Sequence, residues 1–184
     1  MYEAIASLFT LRWTQQRQFR PLPPAITRTF TSTPAGDLEL LISKPLHPST
    51  TAPPIFFIHG GCGHASVWLD WMQYLDEAGY GGTLYSYSAR NHGASYTVPY
   101  LRMVYGTSVD AMADDLVACA EAAMEKEGGK DLVLVGHSSG GGLVQKVLAK
   151  GRLKARALCL LDAVPHFGNL YVLHQLQHIV DEHD

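Results

Sequence analysis

Ser138 lies in Gly136-His137-Ser138-Ser139-Gly140, directly after the apolar run Leu132-Val133-Leu134-Val135. A serine hydroxyl is a weak nucleophile. A protein that uses one must hold it clear of its surroundings, give it a base, and aim N–H donors at the place where negative charge develops. G-x-S-x-G between a strand and a helix meets the first and third needs. The sharp turn lifts the serine oxygen above the sheet, the flanking glycines let other backbone pass close, and the helix N-terminus presents unpaired N–H groups. Gly140-Gly141-Gly142 opens such a helix here, followed by Leu143, Val144 and Val147. Two further segments rich in glycine and histidine follow apolar runs: His59-Gly60-Gly61-Cys62-Gly63-His64 and Ser88-Ala89-Arg90-Asn91-His92-Gly93-Ala94-Ser95. The competing use of a glycine-rich turn is a dinucleotide loop, but G-x-G-x-x-G is not spelled after any strand. Nothing near Cys62 in the sequence activates its thiol, so it is not read as a nucleophile.

The elements that position these residues read as follows. Ile26 to Ser32 and Leu38 to Ser43 are β-prone and flank Thr33-Pro34-Ala35-Gly36-Asp37, which predicts an N-terminal hairpin. Ile55 to Ile58 is a continuous apolar strand of the kind buried on both faces. Ser66 is placed to cap a helix whose Trp68, Trp71, Met72 and Leu75 form a core-facing stripe, ended by Gly79. Gly82 to Tyr87 is the next strand. Thr107-Ser108 caps a long helix with acids in its first turn and a stripe of Val109, Met112, Leu116, Cys119, Ala120 and Met124, stopped at Gly128-Gly129. The serine strand, its helix and the strand Ala157 to Leu161 complete the series. Strands alternating with helices predict an α/β fold, a mostly parallel sheet with helices on both faces.

The three segments, in this order and each after a strand, resemble the α/β-hydrolases of the esterase and lipase type, with fungal members nearest in pattern. The resemblance covers about residues 21 to 168. His59-Gly60-Gly61 is similar to that family's oxyanion loop, which implies that Gly61 or Cys62 supplies one backbone N–H and Ser139 the other. Residues 89 to 95 are similar to its R-G-H-G-x-S segment, with Asn91 in place of the first glycine. The resemblance makes His59, His92 and His137 structural. It implies a Ser–Asp/Glu–His order for the proton relay, with the histidine beyond the last strand. Asp162, which ends the strand after the serine strand, is one acid position that such enzymes use. His166 is the candidate base on the same loop, ahead of His174, His178 and His183. Against the family pattern, the last strands and most of the cap are missing, as in a shortened gene product, a splice form or a decayed copy. The expected organisation is an arm at 1–20, an incomplete core at 21–168, and a tail at 169–184 that begins a cap.

The functional reading is therefore a serine hydrolase for an ester-like small molecule, with low turnover because no histidine is assured as base. The alternative is a non-catalytic remnant that acts as a binding module. No cofactor and no metal are expected. His174 and His178 share a helical spacing but have no third ligand, and the three cysteines form no metal pattern. A net charge of −3 leaves no basic footprint for nucleic acid. No stretch reaches the roughly 18 consecutive apolar residues of a membrane span. Self-association through an unfinished sheet edge is expected. The expected location is cytoplasmic, or organellar if the arginine-rich, acid-poor first residues are a transit peptide.

Overall fold

The computed structural model describes residues 21–166. The arm at 1–20, the tail at 169–184, His174, His178 and His183 lie outside the described residues. Six strands form one sheet in the order β1-β2-β4-β3-β5-β6. They are β1 (Ile26–Thr33), β2 (Gly36–Ser43), β3 (Ile55–Ile58), β4 (Leu84–Tyr87), β5 (Val133–His137) and β6 (Ala157–Leu161). β1 and β2 make the expected hairpin, and β2 runs antiparallel to β4. From β4 onward the sheet is parallel, with Ile58 opposite Gly136 and His137 opposite Leu161. Parallel neighbours need crossovers, and the helices supply them. These are α1 (Leu69–Glu77), α2 (Tyr100–Gly106), α3 (Val109–Lys126) and α4 (Ser138–Ala149).

Period-two alternation sorts the strand side chains into two cores. Leu40, Phe56, Ile58, Tyr85, Tyr87 and Leu134 meet Leu116, Ala120, Val144 and Val147 of α3 and α4 on one face. Leu41, Phe57, Leu84 and Val135 meet Trp68, Leu69 and Met72 on the other. Both faces of the central strands are thus buried, which is why β3 reads as an unbroken apolar run. The C-terminal ends of β3, β4, β5 and β6 share one edge of the sheet. In open α/β sheets that edge carries the site.

Several local expectations change. His64, not Ser66, makes the cap near α1: its Nδ1 accepts from the Ser66 N–H at 3.3 Å and opens a short 3-10 turn over Ala65–Trp68. α1 then continues from Trp68 without a side-chain cap. Trp68 is core, but Trp71 is 51% exposed: the 3-10 turn shifts the helical phase, and the buried stripe of α1 runs through Leu69 and Met72. Val109 of the α3 stripe is likewise exposed. β4 starts at Leu84. A Cβ at Gly82 would fall on the Pro53 carbonyl, so that glycine marks a backbone crossing and not a strand residue. α2 adds a helix to the elements that the sequence predicts. Its Leu101, Val104 and Tyr105 are exposed, so no core-facing period announces it. β6 forms as expected, yet Ala157 to Leu160 are all exposed. No helix among the described residues is long and apolar enough to cross a membrane.

Candidate active site

Ser138 has φ +53°, left-handed backbone that a non-glycine residue adopts at a cost on the order of 1–2 kcal/mol. The turn that imposes it joins β5 directly to α4, with no connecting loop. Four glycines make that junction possible. A Cβ at Gly136 would lie 2.7 Å from Gly141 Cα, and one at Gly140 would fall on the His59 carbonyl oxygen. A Cβ at Gly141 would strike Ala163, and one at Gly142 would lie 2.8 Å from Val164 Cγ2. So α4 starts in contact with the ends of both neighbouring strands.

The loop after β3 lies against this turn. A Cβ at Gly60 would be 3.0 Å from Ser138 Cβ, and one at Gly61 would be 3.3 Å from Ser139 Oγ. The first N–H groups of α4, including that of Ser139, have no intrahelical acceptor. The structure thus brings Ser138, Ser139, Gly61 and its neighbour Cys62 together. Cys62 is exposed.

Two histidines cross-link this loop to the loop after β4. The Ala89 N–H donates to His59 Nε2 at 3.0 Å, so the proton of that ring sits on Nδ1 and is donated to the Gly60 carbonyl at 2.7 Å. Burial pushes the His59 pKa down from 6.5 to about 4, and the neighbouring His92 adds to the effect. His59 is therefore a neutral brace and not a base. Because its folded pKa lies below its unfolded one, acid protonates the unfolded chain first. The contribution of His59 to stability is complete above about pH 6.5 and is lost as pH falls toward about 4, on the order of 3 kcal/mol in total. Urea unfolding at pH 7.5 and at 4.5 is expected to show a smaller acid loss for His59→Gln than for the native chain. Equal losses in the two proteins would remove His59 from this role.

Asn91 occupies left-handed backbone, φ 62°. This explains how asparagine can stand where the resemblance has glycine: of the non-glycine residues it enters that region most readily. Its side chain also accepts from the Val98 N–H at 2.6 Å, which closes the loop. Arg90 anchors the same loop. It reaches Asp115 of α3 through Nε at 2.6 Å and Nη2 at 2.8 Å, and the Ala111 carbonyl at 2.6 Å. Behind it Glu39, fully buried, accepts from Arg28 Nε, Ser88 Oγ and the Ala94 N–H. Sequence reasoning missed these supports. An acid inside the apolar run of β2 was the one available signal, and Arg90 and Asp115 are too far apart in the chain to suggest a pair.

Asp162 follows β6 with φ 45° and is exposed. Its loop is tied to the serine turn: the Val164 N–H donates to the Ser138 carbonyl at 3.1 Å, and Gln145 Nε2 to the Val164 carbonyl at 3.0 Å. His166 is exposed at the end of that loop. Among the described residues no histidine ring is hydrogen-bonded to Ser138 Oγ. His137 lies edge-on to Trp68, centroids 6.4 Å apart.

A sequence model of the alpha/beta hydrolase family matches residues 55–181. Among curated proteins, the chain is similar to protein phosphatase methylesterase 1 of Aspergillus oryzae, 31% identical over 132 residues, 65% of this chain and 30% of that protein. It is also similar to a non-heme haloperoxidase of Rhodococcus erythropolis, 33% identical over 113 residues, 61% of this chain and 37% of that protein. Of solved structures, a thermostable carboxyl esterase from Bacillus coagulans superposes with a TM-score of 0.63 at 17% identity, covering 87% of this chain and 52% of that one. A thioesterase domain from the curacin biosynthetic pathway does so with a TM-score of 0.60 at 20% identity, covering 85% and 53%. The chain spans about a third of the length of these curated relatives and about half that of these solved structures.

Proposed function

This chain belongs to the α/β-hydrolase family, and from that premise we propose that it is a serine hydrolase acting on an ester-like small molecule. The similarity to a protein phosphatase methylesterase supports the reaction class. The observation that carries the assignment to Ser138 is its left-handed turn at the end of β5, set against Gly60 and the start of α4. In the proposed reaction Ser138 Oγ attacks the ester carbonyl carbon and gives its proton to a base. Negative charge on the carbonyl oxygen is met by backbone N–H groups of Gly61 or Cys62 and of Ser139. The C–O bond to the alcohol breaks, the alcohol leaves with the proton, and water then hydrolyses the acyl-serine. Asp162 and His166 are the proposed acid and base, both on the one loop tied to the serine turn.

Hydrolysis of p-nitrophenyl butyrate tests this. The expected result is slow turnover, on the order of a thousandfold above the uncatalysed reaction, which is what an oxyanion hole sustains without a complete relay. That residual rate does not need the serine, so the nucleophile is read by covalent capture: a p-nitrophenyl phosphonate is expected to label the native chain and not Ser138→Ala. Equal labelling of that variant would sink the assignment. The second reading, a non-catalytic binding module, is favoured by the absence of a histidine bonded to Ser138 Oγ among the described residues. It predicts no turnover in the native chain.

The same chain is proposed to self-associate through β6, where Leu158 is 39% and Leu160 is 42% exposed. Among the described residues β6 pairs only with β5, and an apolar strand at a sheet edge pairs readily with another strand. Sedimentation velocity at tens of micromolar is expected to show species larger than the monomer, and Leu158→Lys to shift them back. A monomer throughout would dismiss the edge.

A further inference from the structure

The geometry points to His92 as the positioning residue of the oxyanion loop: its grip on the Gly61 carbonyl turns the next N–H, that of Cys62, toward Ser138. This rests on the serine-hydrolase reading above and adds to it a named donor and the group that aims it. The argument begins with the strand order. β4 and β5 lie on opposite sides of β3. The loop after β3 is therefore flanked by the loop after β4, which holds His92, and by the turn after β5, which holds Ser138.

His92 Nε2 lies 2.8 Å from the Gly61 carbonyl oxygen, so a ring protonated there donates to it. The Gly61 carbonyl thus points to the β4 side. In a trans peptide the carbonyl and the following N–H point in opposite directions. The Cys62 N–H consequently faces the β5 side, where Ser138 sits.

The grip is needed because of glycine. Flipping the Gly61–Cys62 peptide requires rotation about ψ of Gly61, and glycine crosses its backbone map with little steric resistance. The preceding peptide is secured within its own loop, since the Gly60 carbonyl accepts both His59 Nδ1–H at 2.7 Å and the Gly63 N–H at 3.0 Å. Among the described residues His92 is the side chain that holds the next one.

His92 is also well placed to serve as a fixed point. Its ring packs on that of His59 with centroids 5.1 Å apart. Its Nδ1 lies 2.8 Å from the Arg90 carbonyl, to which it donates together with the Gly61 bond only when both ring nitrogens carry a proton. Its loop is bound to α3 through Arg90 and Asp115.

Two variants test the assignment. His92→Phe keeps a ring to pack on His59 but has no donor, whereas His92→Gln keeps an N–H of similar reach. The readouts are the amide resonances of Gly61 and Cys62 in isotope-labelled protein and the rate of Ser138 capture by a p-nitrophenyl phosphonate. In His92→Phe the Cys62 amide is expected to shift or broaden, and capture to slow about tenfold to a hundredfold, short of the roughly hundredfold to thousandfold for outright loss of an oxyanion donor because the N–H is misaimed and not removed. Reversible binding of a non-reactive ester analogue is expected to stay unchanged, and His92→Gln to recover part of the capture rate. Native amide positions in a folded His92→Phe protein, or a native capture rate, would overturn the proposal. If the native chain is not captured at all, the nucleophile reading falls, and the amide comparison alone decides the role of His92.

Discussion

Asp115→Ala is expected to lower the unfolding free energy by about 3–5 kcal/mol, the range for stranding one member of a buried ion pair. Asp115 is 2% exposed, and its two oxygens take both arms of the Arg90 fork. Asp115 holds the pKa of Arg90 up, and the guanidinium keeps its charge even without that partner, because arginine is intrinsically protonated far above neutral pH. A domain of ordinary stability has only about 5–15 kcal/mol in total, so the variant is expected to be largely unfolded or insoluble at 37 °C. Urea unfolding at 15 °C measures the loss. Arg90→Met combined with Asp115→Leu is expected to regain much of it, because an apolar pair leaves no uncompensated charge. A loss under about 1 kcal/mol for Asp115→Ala would show that water reaches the pair and that it is no clasp. The functional stake is the β4 loop, which carries His92 and is tied to the body of the fold through this pair.

Gly140→Ala is the second large effect, and it separates stability from activity. The new methyl group would land on the His59 carbonyl oxygen and 2.8 Å from Ile58 Cγ2. Backbone cannot rotate away as a side chain can, so α4 must move off the end of β3. Overpacking of that kind costs about 1–3 kcal/mol, which the fold survives. The site does not survive it as well. Ser138 is the first residue of α4, and His59 leads directly into the loop with the proposed oxyanion donors. An outward step of α4 widens the gap between the proposed nucleophile and the proposed donors. A misplacement near 1 Å is worth about a hundredfold in rate, so kcat/KM is expected to fall by about that factor while thermal unfolding moves down by about 2–12 °C. Esterase assay and calorimetry on one sample check both. Equal and small changes in the two would mean that α4 absorbs the methyl group without moving the serine.

Much of this was legible in the chain. β3 and β5 are short apolar runs, and burial on both faces needs no more specific signal than that; β6 shows the same apolar pattern, although Ala157 to Leu160 are exposed. The hairpin announced itself through Thr33-Pro34-Ala35-Gly36. The serine turn could be read because its geometry demands glycine at fixed offsets, and offsets along a chain are what a sequence displays. The errors share a cause. Trp71 was assigned to the core because one helical phase was assumed from Ser66 on, and the 3-10 turn breaks that phase. α2 was missed because its apolar residues face away from the core.

By itself, the order of residues determined a mostly parallel α/β sheet, a serine on a strand-to-helix turn, and two glycine-rich loops after strands. These depend on local contacts and short periods, which adjacent residues encode. Only the tertiary structure decided how the loops hold one another. His59 grips Ala89, His92 grips Gly61, and Arg90 grips Asp115, all between segments brought together by the strand order β4-β3-β5. Those bonds are set by where chain crossings place a ring nitrogen against a carbonyl oxygen. Nothing in the spacing of His92 along the chain says that it meets Gly61, because the sheet, and not the sequence interval, sets that distance.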